Sequence, residues 1–571
     1  MNILLIVIFF YVLLISILGY GLFFQKIFFT HNKIKSLISE QYLGFYGLAF
    51  VTFLSMLTNI FVPHNFIHNT ILHLFGFFCG CYFFYKDQKY KYFKYIFFIS
   101  LVVLASLFLS KSNEDFPYYH LPYTIYLTEN KLIFGMGHLN HGYNLLSSLL
   151  NFNSTLRLPY IEMYSFHFVY LYFLIFFNFF ILKEVLGRNN NIFICTLFSI
   201  AAIFFNLSFT RIADYGTDKP GQLLIVLIII KLLSLFNDKN KSIETTQLMP
   251  LLPLLAYTIS LKAYFVTYIL VLLPIFIFTK DFIYFVKEIL FTRVFVFCLL
   301  LIALMCVHYF FATGCLIAPI TSLCFGEMFS WARSIESMNG LASWLEQWAK
   351  AGAGPGYRVE NSLEYTRGFN WVSNWVDKYV FTKFTDQMGI LFLSFVLVFC
   401  SLFNFTKSRK SFFSKKILIF YLSLLAVCLI WFFKHPTLRY GGYSIVFLMI
   451  AVPVALIFSQ YTLKNNAVRN FKVLLILVFV VFNIKNFSRI KNEFNRDDLY
   501  KFSNFPYYTI KKIEYTSQAS PSGLTVYSPK SIANEWNYCW DIPAPCVMSA
   551  DQTILSEFKN GYFFINRKIS K

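Results

Sequence analysis

Apolar runs of about 16 to 20 residues recur along the whole chain, separated by short polar connectors. As helices, such runs are long enough to cross a bilayer core roughly 30 Å thick. This repetition constrains the chain to a multi-span integral membrane protein. Composition agrees: 57% of the 571 residues are hydrophobic and only 13% are charged, where a soluble surface needs roughly a quarter charged.

The net charge of +21 does not point to nucleic acid. Its lysines and arginines sit in short connectors between spans, as the positive-inside rule requires. The first apolar run lacks both a basic start and a small-residue cleavage site, so it does not read as a cleaved signal peptide.

Placing the basic connectors on the cytoplasmic side orders the chain, with the N-terminus outside. Residues 1–110 hold four spans, at about 3–24, 43–62, 69–85 and 95–110, and deliver residues 111–161 as a first long outer loop. Residues 162–311 hold spans five to ten. Within them, Leu248 to Phe278 is too long for one span and short for two, and its flanks, Lys239/Lys241 and Lys280/Lys287, are both basic. The block has to enter and leave on one side, which predicts a helical hairpin at 248–279 with its tip near Ser260–Lys262. Residues 312–386 form a second long outer loop carrying Trp331, Trp344, Trp348, Trp371 and Trp375, aromatics that suit an interface. Residues 387–487 hold spans eleven to fourteen, and 488–571 a small extracytoplasmic domain. The expected fold is thus all-α, with about 14 transmembrane helices.

Two signals bear on the last segment. Lys485, Arg489, Lys491 and Arg496 follow the final span on the outer side, against the charge rule. Seven of the eleven cysteines lie within spans, as apolar fillers, but Cys315/Cys324 and Cys539/Cys546 are close pairs in segments assigned outside. In an oxidising compartment such pairs read as disulfides; zinc is the alternative, although CxxxxxxC lacks the usual finger spacing.

Chemistry concentrates in Asn113–Asn144. Glu114 and Asp115 are adjacent carboxylates whose repulsion would raise one pKa and make a base, with capping of a helix at Tyr118–Thr128 as the plainer role for Asp115. His120 follows one turn on. His138 and His141, at i, i+3 on an expected helix, would share a face; with Asp115 or His120 they are candidate ligands for a divalent metal, or else interfacial hydrogen-bond donors. Both short helices of this loop read as amphipathic and surface-lying. Asp214 and Asp218, at i, i+4 in TRIADYGTDKPGQ beside Arg211 and Lys219, form a second base or acceptor-binding pair, or a solvated loop. Lys262 is a cation near the outer face, snorkelling or functional. Arg439, in HPTLRYGG, suits bidentate phosphate binding or interface anchoring.

Together EDFPYYHLPY, RIADYGTDK, LKAYF and HPTLRYGG, with GCLIAP and CWDIPAPC, resemble the GT-C superfamily of membrane glycosyltransferases. The resemblance covers most of the chain, but typical members place the acidic loop after the first span, and here it follows the fourth. It implies a GT-C-like bundle and inverting transfer of a sugar from a polyprenyl-phosphate donor to a glycan, lipid or protein acceptor. The site would face the exterior or periplasm from the cytoplasmic membrane. Asp115 would be the base, Glu114, His120 and Asp218 would orient the acceptor or hold a divalent cation, and Lys262 and Arg439 would neutralise the departing phosphate. A flippase or secondary transporter of a lipid-linked or sugar substrate, a glycan polymerase or ligase, and an envelope scaffold are the competing classes. Charges gathered at span ends rather than mid-membrane, without a clear internal repeat, favour the enzyme.

Overall fold

The computed structural model describes residues 2–566 apart from 30–38, 87–89, 111–113, 188–190, 211–215, 237–242, 280, 355–358, 360, 408–413, 497–498, 500–503, 531–537 and 549–554. Helix α1 (Asn2–Phe28) packs against both α2 (Leu43–Asn59) and α3 (Phe66–Lys86). Their backbones approach closely: a methyl group on Gly19 would lie 2.0 Å from the Gly76 carbonyl oxygen. In lipid, where apolar burial drives little association, such close approach is what holds helices together. α4 (Tyr90–Val103) runs on through a 3-10 turn, Leu104–Phe108, towards the polar stretch.

Within that stretch α5 (Leu121–Glu129) forms, and α6 (Ser148–Thr155) follows just after it, but neither lies on a surface. Leu121–Thr128 and every residue of α6 are buried, so the expectation of surface-lying helices is overturned. Tyr123 packs against both Tyr126 and Tyr143, at 5.4 and 5.2 Å between ring centres, and draws the loop inward.

The centre of the bundle is α7 (Phe168–Leu186), α8 (Ile192–Ser208) and α9 (Asp218–Phe236). α7 is buried without a break from Phe168 to Ile181, as a helix apolar on all sides should be. The block expected as a hairpin consists of α10 (Leu252–Leu261), a break at Lys262 (φ −158°, ψ 120°), a 3-10 stretch Ala263–Leu272, and α11 (Leu273–Ile277). The part from Lys262 onward touches both ends of α9. Lys262 pairs with Asp218 at the start of α9, and the Phe278 ring meets Phe236 at its finish.

Next come α12 (Phe282–Leu290), α13 (Arg293–Thr313), α14 (Ile335–Lys350), α15 (Thr385–Leu402), α16 (Lys415–Lys434), α17 (Tyr443–Phe458) and α18 (Ala467–Phe494). Among the described residues, ten helices are long and apolar enough to cross a membrane, and Phe93–Phe108, Ile192–Ser208 and Ala263–Ile277 are shorter apolar helices. The protein is a multi-pass membrane protein. The structure supports ten full-length spans; the difference from the expected fourteen falls in these shorter helices and in α10.

Among the described residues, three two-stranded antiparallel sheets interrupt the all-α expectation. β1 (Phe403–Lys407) pairs with β2 (Tyr461–Leu463) between helices. β3 (Tyr515–Ala519) with β4 (Thr525–Pro529), and β5 (Leu555–Lys559) with β6 (Tyr562–Asn566), make up the tail. The tail covers the first polar loop. Trp540 N–H donates to the Pro117 carbonyl at 3.1 Å, Ala544 N–H to a Glu129 carboxylate oxygen at 3.1 Å, and Ile565 N–H to the Phe134 carbonyl at 2.8 Å. α18 runs towards that same end, where Ser110 N–H donates to Glu493 at 2.8 Å. At 28 residues, α18 is about 42 Å long. Its last basic turns therefore extend past an apolar core of roughly 30 Å, and Arg489 pairs there with Glu493 at 3.4 Å.

Candidate active site

Four segments bring a charge to one point at the end of the bundle beneath the tail. Asp115 precedes a π-helical turn, Phe116–His120; Asp218 opens α9; Lys262 is the hairpin break; Arg439 lies in the turn before α17. Lys262 Nζ pairs with Asp218 Oδ1, Arg439 Nε with Asp218 Oδ2 at 2.9 Å, and Arg439 Nη2 with Asp115 Oδ2. The four form an alternating chain of charge that sums to zero. In surroundings this poor in water, an unmatched member would be costly. Lys262 therefore does not snorkel; it sits over the Tyr440 ring at 4.1 Å and is 19% exposed, whereas Arg439, at 40%, is the most exposed of the four.

Asp115 departs from the sequence expectation in two ways. Burial raises its pKa, but the charges of Arg439 and His120 outweigh that and hold the carboxyl below its ordinary value. Adjacent Glu114 is exposed and outside the cluster, its charge acting on Tyr538 of the tail. The Asp115 side chain also makes no capping bond to the following turn. It is spent on Arg439.

The turn that presents Arg439 is held from all sides. Leu438 N–H donates to the Tyr379 hydroxyl at 2.6 Å, Trp431 Nε1–H to the Thr437 carbonyl at 2.9 Å, and Trp375 Nε1–H to the Pro436 carbonyl at 2.8 Å. Gly441 takes φ +83°, and a methyl there would come within 3.0 Å of Tyr264. That conformation is open to glycine at little cost and to other residues only under strain. Tyr379 itself lies on a second π-helical stretch, Val376–Phe384. Such extra-residue turns recur where a helix must re-aim a side chain.

Gln222 completes the frame. One turn after Asp218, and fully buried, it donates Nε2–H to the Leu438 carbonyl at 3.0 Å and accepts from Ser444 N–H at 3.0 Å. Gln222→Leu strips both partners from a buried turn. We expect a loss of about 1–3 kcal/mol, read as a lowered melting temperature in detergent; an unchanged melting temperature would show that the tyrosine and tryptophans suffice.

The other candidates fall around the cluster or outside it. His120 is buried, with its ring 4.2 Å from Tyr119, and acts on Asp115 through its charge. His138 and His141 do not share a helix face: they belong to separate 3-10 turns, Met136–His138 and His141–Asn144, split where Asn140 caps the second. His138 Nε2 lies 2.9 Å from the Trp331 carbonyl oxygen, and His141 stands edge-on to Trp344 at 4.7 Å. Among the described residues no three His, Cys, Asp or Glu side chains gather as a metal site would require. Asp214 and Arg211 lie outside the described residues; Lys219 sits over Phe209 at 5.6 Å. Both expected disulfides form, Cys315–Cys324 and Cys539–Cys546. Sequence reasoning missed Gln222 and Tyr379. Of the two, only Gln222 carried a signal, its i, i+4 spacing from Asp218.

A family model described as a domain of unknown function, DUF8201, matches residues 3–447. The chain belongs to the DUF8201 family. The DUF8201 region contains Asp115, Asp218, Lys262 and Arg439 together with Gln222 and Tyr379, whereas the tail lies beyond it. No curated protein and no solved structure matches the chain.

Proposed function

We propose that the protein is an integral membrane glycosyltransferase of GT-C type. It moves a sugar from a polyprenyl-phosphate donor to a glycan, lipid or protein acceptor at the outer face of the cytoplasmic membrane. The observation that carries this reading is the convergence of Asp115, Arg439, Asp218 and Lys262 at one end of an apolar bundle. Directly after Lys262, the residues Val266, Ile269, Leu273 and Ile277 are exposed. A lipid tail lying along them would hold its phosphate level with the two cations.

In this mechanism the donor phosphate binds Arg439 and Lys262 and competes with Asp115 for the guanidinium. Released from that partner, Asp115 becomes a stronger base. It takes the proton of the acceptor hydroxyl as that oxygen attacks C1 from the side opposite the phosphate. The C1–O bond breaks, its electron pair leaves with the polyprenyl phosphate, and the configuration at C1 inverts. The cations stabilise the departing charge in a water-poor site, where fixed charges act most strongly.

The lowered pKa of Asp115 has a measurable consequence. Because Arg439 and His120 hold this carboxyl below its ordinary value, the acid limb of kcat/KM should lie on the acid side of an ordinary aspartate. A limb near pH 6 would assign the titration to another group.

The test of the reaction is reconstitution in vesicles with radiolabelled undecaprenyl-phosphate sugars and candidate acceptors. Label in a new glycosidic product supports the enzyme. The broken helix at Lys262 is also a transporter feature; label that crosses the bilayer with no new bond would favour that second reading.

A further inference from the structure

Trp344 and Trp348 are one turn apart on α14, half-buried, with ring centres 6.3 Å apart and planes inclined by 23°. They do not stand alone. His141 meets Trp344 edge-on at 4.7 Å, Tyr440 meets Trp348 edge-on at 6.2 Å, and the Arg439 guanidinium carbon lies 5.8 Å from the Trp348 ring. A wall of aromatic rings thus starts at the open cation of the cluster and leads away along α14.

The helix is pinned at the turn that carries the indoles. Met338, Leu341 and Leu345 enter the core. Glu346, between the two tryptophans, accepts from Lys350 at 2.6 Å and Lys434 at 3.3 Å, while Lys350 lies over Trp371 at 5.1 Å. Membrane anchoring does not account for these two side chains. In the same region Phe369 and Phe381 are 65% and 67% exposed, as anchors are, whereas the two indoles are directed at His141, Tyr440 and Arg439.

We propose that Trp344 and Trp348 form a stacking subsite for a pyranose ring, adjoining an anion position at Arg439. The C–H face of a sugar carries partial positive charge and little hydration, and an indole face offers the negative side of a quadrupole. The sugar hydroxyls at the ring's rim remain free for water or polar groups. A glycosyl phosphate has its ring one bridging oxygen from phosphorus, so a phosphate on Arg439 would bring the ring over Trp348. The ring can belong to the donor or to the terminal unit of a glycan acceptor. The proposal rests on the glycosyltransferase reading for what the sugar does there, and on the aromatic wall alone for its binding.

The experiment uses the full chain in nanodiscs and saturation-transfer NMR with methyl β-D-glucopyranoside and methyl β-D-galactopyranoside. Sorbitol, which has hydroxyls but no ring face, serves as the control. Transfer to the glycoside C–H protons, absent for sorbitol, lost in Trp344→Leu and Trp348→Leu and kept in Trp348→Phe, is the expected result. Equal transfer to sorbitol overturns the subsite without need of any variant. So do Leu variants that retain the signal, or a Phe variant as poor as Leu. In the transfer assay the Leu variants should raise one KM roughly three- to tenfold with kcat held; the KM that moves, donor or acceptor, names the source of the ring, and neither moving overturns the proposal. Tryptophan-dependent glycoside binding in a protein that transfers no sugar would sink the function proposed above and leave the subsite standing.

Discussion

On the glycosyltransferase reading, Asp115→Asn should abolish sugar transfer in the reconstituted protein while leaving it folded and inserted. The substitution keeps shape and keeps an oxygen for the Arg439 guanidinium, so the turn before α17 stays held by Gln222, Tyr379 and Trp431. What is lost is the proton acceptor, and removal of a positioned general base costs roughly 10²- to 10⁴-fold in rate. Glu114→Gln is the matched control: that carboxylate is exposed and outside the ion cluster, and its variant should turn over at close to the wild-type rate. The measurement is single-turnover transfer from a labelled polyprenyl-phosphate sugar, with thermal unfolding recorded on the same preparations. Full turnover in Asp115→Asn removes this residue as the base.

Asp218→Asn has the second large effect, and it falls on stability first. Among the described residues, Asp218 is the one anion that pairs with both cations, and it is only 13% exposed. Without its charge, Lys262 and Arg439 become like charges held together in a water-poor pocket. Removing one partner of a buried ion pair costs about 3–5 kcal/mol; partial exposure and a remaining amide oxygen place the expected loss at the low end. Asp218→Asn combined with Lys262→Met should recover much of the melting temperature, because the unmatched charge goes too. It should not recover transfer, because a phosphate-binding cation has gone. Recovery of both would mean that Lys262 only balances Asp218. Recovery of neither would mean that the geometry of the pair, beyond its charge, holds the hairpin tip.

How far the site was legible in the sequence depends on the kind of signal. Lys262 and Arg439 stood out because a chain with so few charges seldom puts one next to a span without a use. The hairpin tip was read from the basic flanks of one awkwardly long apolar block; in the structure the helix breaks at Lys262, and Lys262 and Phe278 touch opposite ends of α9. Neighbourhood in sequence was the poorer guide. Glu114 and Asp115 are consecutive, yet one faces outward and the other meets a partner 324 residues away. An i, i+3 spacing joins His138 to His141 only if the helix is continuous, and the Asn140 cap breaks it. Gly142 marks the same break, because its backbone lies flat against Tyr119, where a methyl would come within 2.4 Å of the ring. Trp344 and Trp348 carried an ambiguous signal, since aromatics suit both a membrane interface and a binding wall. Burial and direction decide between those roles, and neither is written in composition.

The tail bonded to Pro117, Glu129 and Phe134 also imposes an order on biogenesis. The loop with Asp115 leaves the ribosome early, whereas the strands and the Cys539–Cys546 loop that clasp it are made more than four hundred residues later. Chains fold from the N-terminus as they are made. The early loop must therefore wait for a segment that is still to be synthesised and closed by its disulfide. Completion of this end of the bundle is in that sense a checkpoint on the whole chain: a polypeptide stalled after its last span would hold all four charges and lack the clasp over the first of them.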